Sequence, residues 1–148
     1  MISNRNGAGK STTFNILTSL IPRSIGSVKV KGIEVNKGIM EIYQDVGICP
    51  QFDCLWQNLS PPEHLYLFGR MKGLSGLDLT LAVRYFLETM QLTEFLYTKA
   101  ERLSGGNKRK LCVSNALIGG PDIQFFDEPS TGVDPIARRF LWNTLQQG

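Results

Sequence analysis

The run Asn6-Gly7-Ala8-Gly9-Lys10-Ser11-Thr12 constrains the fold of this chain more than any other feature. Two glycines spaced by one small residue let successive backbone N–H groups turn toward a single point, and a helix beginning at once behind them adds the positive end of its dipole. The apolar residues Phe14, Leu17 and Ile21 follow at helical spacing and Pro22 ends the pattern, which predicts that helix from about Lys10 to Leu20. Such a loop suits an anion rich in oxygen: Lys10 would reach the outer phosphates of a nucleotide and Ser11 would ligate Mg2+. A glycine-rich helix cap is the plain alternative, because short motifs recur by chance.

Downstream, Val28, Val30, Ile33 and Val35 alternate with Lys29, Lys31 and Glu34, predicting a half-exposed strand pair. Val46 to Cys49 reads as a short strand running into Pro50 and Gln51. Ser60 before Pro61 and Pro62 reads as a capped helix start, with that helix running to about Met71. Leu79, Val83, Phe86, Leu87 and Met90 form an amphipathic stripe, and another helix is expected from near Gly106 to Ile118. Gly119, Gly120 and Pro121 break it before an apolar strand, Ile123 to Phe126; Pro135 opens a last helix with Ile136, Phe140 and Leu141 on one face. Strand and helix alternate at both ends around a helical middle. An α/β core, residues 1–51 and 119–148, with a helical subdomain inserted over about 52–118, is the architecture this implies.

Two further motifs carry chemistry. Phe125-Phe126-Asp127-Glu128 is an apolar strand delivering paired carboxylates at its end, where Asp127 can hold Mg2+ through water and Glu128 can orient and polarise an attacking water. Leu103-Ser104-Gly105-Gly106-Asn107 puts a hydroxyl and two glycines at a helix start, which is either an ordinary Ser cap or a second anion-binding surface.

Composition excludes more than it selects. The 148 residues and 16.5 kDa suit one domain, and 42% hydrophobic with 20% charged residues describes a globular chain. A net charge of +3 is too mild to argue for nucleic acid or anionic lipid. No stretch approaches the roughly 20 apolar residues of a membrane span, and the N-terminus lacks a signal-peptide core. Cys49, Cys54 and Cys112 form no CxxC pair and, with the single histidine His64, build no structural zinc site; they read as small buried hydrophobes in a reducing compartment.

Taken in order, Gly9-Lys10-Ser11, Pro50-Gln51, Leu103-Ser104-Gly105-Gly106, Phe126-Asp127-Glu128-Pro129 and Gly132-Val133-Asp134-Pro135 resemble the Walker A motif, Q-loop, signature, Walker B and D-loop of the ATP-binding cassette of ABC transporters. The resemblance spans nearly the whole chain. Gly106-Asn107-Lys108-Arg109-Lys110-Leu111, Ala116 to Pro121, Cys49 to Asp53 and Ala137-Arg138-Arg139 look like subfamily A, whose members are mostly associated with lipids and sterols. The resemblance implies a P-loop NTPase (RecA-like) core, with ATP and Mg2+ as cofactors. Residues Asn6 to Thr12 would cradle phosphate, Gln51 would contact Mg2+ and the attacking water, and Glu128 would be the catalytic carboxylate. Ser104, Gly105 and Gly106 would bind the γ-phosphate of ATP held by a second cassette, with Asp134 helping to join the two. It also implies transmembrane domains as partners, at the cytosolic face of a membrane, and no nucleic acid.

Departures from the pattern carry their own expectations. Asn4 stands where the loop has its first glycine and Arg5 where a proline is usual. Little of the anchoring strand precedes the loop, and the switch histidine of the family lies beyond residue 148, so the cassette is expected to be incomplete at both ends. From these gaps the isolated chain is expected to bind Mg·ATP weakly and to turn it over slowly or not at all; a non-catalytic fragment that binds nucleotide or partner cassettes is the alternative. His64, in the helical insert, reads as a helix-surface or partly buried residue, and Gln124 as a polar interruption that needs a partner if buried. Lys99, Arg102, Lys108, Arg109 and Lys110 read as a solvated cationic face, the only support for a nucleic-acid-directed ATPase. Phe52, Trp56, Tyr66 and Phe68 suit equally a surface facing the membrane domain and ordinary core packing.

Overall fold

The computed structural model describes Thr12, Ile16, Ile21, residues 25–34, Tyr43 and residues 45–127. The chain divides into two compact units, Met1–Gln44 and Asp45–Gly148. In the first, Thr12 and Ile16 are helical, as the spacing predicts; the rest of that helix lies outside the described residues. Strands β1 (Lys29–Val30) and β2 (Ile33–Glu34) pair antiparallel with Val30 opposite Ile33. Lys31 and Gly32 join them with φ of 51° and 79°, the left-handed pair that a two-residue hairpin requires to match strand twist.

In the second unit β3 (Val46–Cys49) and β4 (Ile123–Phe126) lie side by side and parallel, Val46 opposite Ile123 and Cys49 opposite Phe126. Parallel neighbours need a long crossover, and here it holds three helices: α1 (Pro61–Met71), α2 (Gly76–Thr89) and α3 (Gly105–Leu117). Two single-turn 3-10 segments, Thr93–Phe95 and Ala100–Arg102, lead from α2 toward α3 and have no periodic signal in the sequence.

Local chemistry sets the helix ends. At the start of α1 the Glu63 carboxylate accepts the Ser60 N–H at 2.7 Å and the Ser60 hydroxyl at 2.8 Å, which holds its pKa below the ordinary carboxylate value. Gly73, at φ 86°, ends the same helix: its N–H bonds to Arg70 O and that of Leu74 to Gly69 O. The core gathers the stripe of α2 against Leu65 of α1, Leu111 and Val113 of α3, and Cys49 of β3. β3 and α3 approach so closely at Gly47 that a β-carbon there would lie 2.2 Å from the Ala116 carbonyl oxygen, so only glycine fits. All four residues of β4 are half-buried, so Gln124 needs no internal partner. The predicted helix after Pro135 lies outside the described residues. Among the described residues no helix is long and apolar enough to cross a membrane.

Candidate functional site

The carboxyl ends of parallel strands are where an α/β sheet places ligands. Gln51 follows β3 and Asp127 follows β4, and the Asp127 N–H donates to the Cys49 carbonyl at 3.0 Å, one step beyond the last paired residues. Residues far apart in sequence, Gln51 exposed and Asp127 half-buried, therefore leave the sheet from adjacent positions.

Arg109 of α3 holds these two exits together. Its side chain is only 2% exposed. Nη1 donates to the Pro50 carbonyl at 2.6 Å and, at 3.4 Å, to that of Gln51, while Nη2 donates to the Asp127 carbonyl at 2.9 Å. The expectation that Arg109 belongs to a solvated cationic face is thus corrected: the residue is buried and main-chain carbonyls accept its hydrogen bonds. Lys99 and Arg102 are exposed, and Lys108 and Lys110 are half-buried.

At the other end of this geometry, Ser104 caps α3, its Oγ accepting the Asn107 N–H at 3.3 Å. Ser104 and Gly105 are exposed, and β-carbons built on Gly105 and Gly106 would meet nothing within 4 Å. Nothing among the described residues requires glycine at either position. Glycines that cost helix stability without an internal reason suit a close approach from outside the chain.

Thr12 is helical and exposed. Asn6, Gly7, Ala8, Gly9, Lys10, Ser11, Glu128 and Asp134 lie outside the described residues.

The remaining chemistry-bearing side chains are structural. Cys49 and Cys112 are buried, as expected, and Cys54 is exposed, which was not. Burial pushes the Cys49 thiol up to about 11 and raises those of Cys112 and Cys54, so all three stay protonated at neutral pH. Cys112 Sγ donates to Asp53 Oδ1 at 3.7 Å. His64 is fully buried, not at a helix surface. Of the aromatic residues, Phe52 at 66%, Trp56 at 51% and Tyr66 at 37% are exposed, whereas Phe68 packs on the core and lies 5.8 Å from Trp56 between ring centroids.

A family model described as ABC transporter matches residues 2–131 of this chain. The chain belongs to the ABC transporter family. Within it, "ATP-binding cassette sub-family A member 2" of Homo sapiens is 46% identical over 140 residues, covering 95% of this chain and 6% of that protein. "ABC transporter A family member 2" of Arabidopsis thaliana is 45% identical over 144 residues, 96% of this chain and 15% of that protein. The rat protein "Phospholipid-transporting ATPase ABCA3" is 41% identical over 142 residues, 96% of this chain and 8% of that protein. The chain therefore spans a small fraction of these relatives, and its likeness to subfamily A, legible in Gly106 to Leu111, is shown by them. A solved structure titled "Structure of ATP binding subunit of ABC transporter" superposes with a TM-score of 0.88 at 27% identity, covering 97% of this chain and 60% of that one. The ABC nucleotide-binding fold, a P-loop NTPase core with an inserted helical subdomain, is thus the fold of this ABC-family chain.

Proposed function

We propose that the chain binds ATP with Mg2+ and, paired with a second cassette, hydrolyses it to drive transport through transmembrane domains at the cytosolic face of a membrane. The observation that carries this reading is the emergence of Gln51 and Asp127 from adjacent parallel strand ends, tied by Arg109. A carboxylate and an amide oxygen are hard donors of the kind Mg2+ prefers, so these two residues suit the cation. Bound there, Mg2+ would offset phosphate charge. The chain's own part is to cradle phosphate with the Asn6–Thr12 backbone and Lys10, and to orient a water with Glu128 and Gln51. Ser104, Gly105 and Gly106 would serve ATP on the opposite cassette, a role supported by their open, unpacked surroundings, with Asp134 at the junction. Phe52, Trp56 and Tyr66 form the apolar surface offered to the membrane domain. A lipid is the proposed transported class, supported by the likeness to a phospholipid-transporting relative.

The test is titration of the purified chain with a fluorescent ATP analogue, with and without Mg2+. Binding strengthened by Mg2+ and weakened at least about tenfold by Lys10→Ala or Asp127→Asn is expected. Absence of Mg·ATP binding by the wild-type chain overturns the reading. Addition of a second cassette then reads catalysis: turnover lost in Glu128→Gln supports the ATPase, and binding with no turnover favours the non-catalytic alternative.

A further inference from the structure

Arginine is almost never fully buried unless its donors find partners, and Arg109 gives three hydrogen bonds to main chain. Its partners, the carbonyls of Pro50, Gln51 and Asp127, lie just past the two strand ends. The ladder itself stops there: Cys49 opposite Phe126 is the last register pair, and Asp127 N–H to Cys49 O is the bond beyond it. From Pro50 onward the guanidinium takes over the role of a ladder bond. Because its donors sit in one rigid plane, two carbonyls on different strands held by Nη1 and Nη2 are held at a fixed separation, which a single ammonium on a flexible stem does not do.

We propose that Arg109 is a positioning residue that sets the separation of Gln51 and Asp127 by fixing the main chain from which both side chains project. This rests on the reading of those two side chains as Mg2+ ligands in an ATP site. It assigns Arg109 a role in cation engagement, since the main chain it holds is that of the two strand exits.

The purified chain is compared with Arg109→Lys and Arg109→Met in ATP-analogue titrations in Mg2+ and in EDTA. Expected are affinities in EDTA within about twofold of wild type and a Mg2+-dependent gain cut about tenfold, the loss typical when support behind a metal ligand is removed. Lysine should restore little of it. Full retention of the gain in either variant, or an equal loss with and without Mg2+, overturns the proposal. A wild-type chain that gains nothing from Mg2+ overturns the underlying ATP reading instead, and is recognised because the failure precedes any substitution. Should both variants unfold, the wild-type guanidinium decides: slow rotation and slow proton exchange of the Arg109 Nη groups by NMR support the clamp, and a freely rotating group overturns it.

Discussion

The Nε2 atom of His64 accepts the backbone N–H of Trp56 at 3.0 Å, while Nδ1 of the same ring lies 2.9 Å from the Ser60 carbonyl oxygen. An amide can only donate and a carbonyl only accept, so the ring is neutral with its proton on Nδ1. The buried imidazole fastens the segment carrying exposed Trp56 to the first turn of α1.

Acid should therefore loosen that segment. Burial holds the His64 pKa below its ordinary value of 6.5, against weaker opposing effects of the Ser60 carbonyl and the Glu63 charge. Below about pH 6.5 the unfolded chain takes up a proton that the folded chain refuses, so stability is complete above that pH, falls as pH drops, and levels off below the folded pKa. Urea unfolding between pH 7.5 and 5 should show this decline. In His64→Leu that part of the slope should vanish, at a cost of about 1 to 3 kcal/mol for the Trp56 N–H left without its acceptor. An unchanged slope in the variant would place the titration elsewhere.

Glycine substitutions should separate backbone crowding from side-chain crowding. A β-carbon at Gly47 meets the Ala116 carbonyl oxygen at 2.2 Å and Pro121 Cγ at 2.9 Å, so β3 and α3 must part. Gly47→Ala should cost about 1 to 3 kcal/mol or more. At Gly69 the nearest atom is Leu79 Cδ1 at 2.5 Å, the end of a flexible side chain, and alanine gains helix propensity there. Gly69→Ala should fall within about 1 kcal/mol of wild type. Denaturant midpoints with unchanged m-values check both, and equal costs would contradict the distinction.

Helices, strands and the Ser60 cap were legible because their signals are local. Proline at a helix start, Gly119-Gly120-Pro121 after one, and the α2 stripe each act within a few residues, and the observed α1 runs from Pro61 to Met71 as predicted. Arg109 was not legible, because it stands between Lys108 and Lys110 and its partners lie 59 and 18 residues away. One signal was present: Arg109 shares a helical face with Cys112, Val113 and Ala116, all buried. His64 hid similarly, since Trp56 reaches it from a loop without periodicity. The signature serine and glycines could be read from their order alone, whereas their open surroundings required coordinates.

The end of α2 carries a residue in a conformation that suits glycine. Gln91 has φ 54°, its N–H bonds to Glu88 O at 3.1 Å, and Leu92 N–H bonds to Leu87 O at 2.8 Å, the arrangement that normally places glycine at this position. Gln91→Gly should stabilise the chain by up to about 1 kcal/mol, less what the freer unfolded chain takes back. Gln91→Val should destabilise by more than that, since a β-branched residue tolerates positive φ poorly. Thermal unfolding of the pair should shift in opposite directions.

Asn115 presents the largest unmet polar demand among the described residues. It is 4% exposed in the last turn of α3, and neither Oδ1 nor Nδ2 has a hydrogen-bond partner. Its neighbours on the helix, Leu111, Ala116 and Ile118, are buried and apolar, so the amide is desolvated without return. Leucine has nearly the same shape and no polar atoms. Asn115→Leu should therefore raise stability by about 1 to 3 kcal/mol, seen as a higher urea midpoint at constant m-value. A lower midpoint would mean that the amide has a partner in solution. Comparison with Asn115→Asp separates the cases further, since a charge buried in an apolar setting should unfold the helix face, whereas one beside a donor should be tolerated.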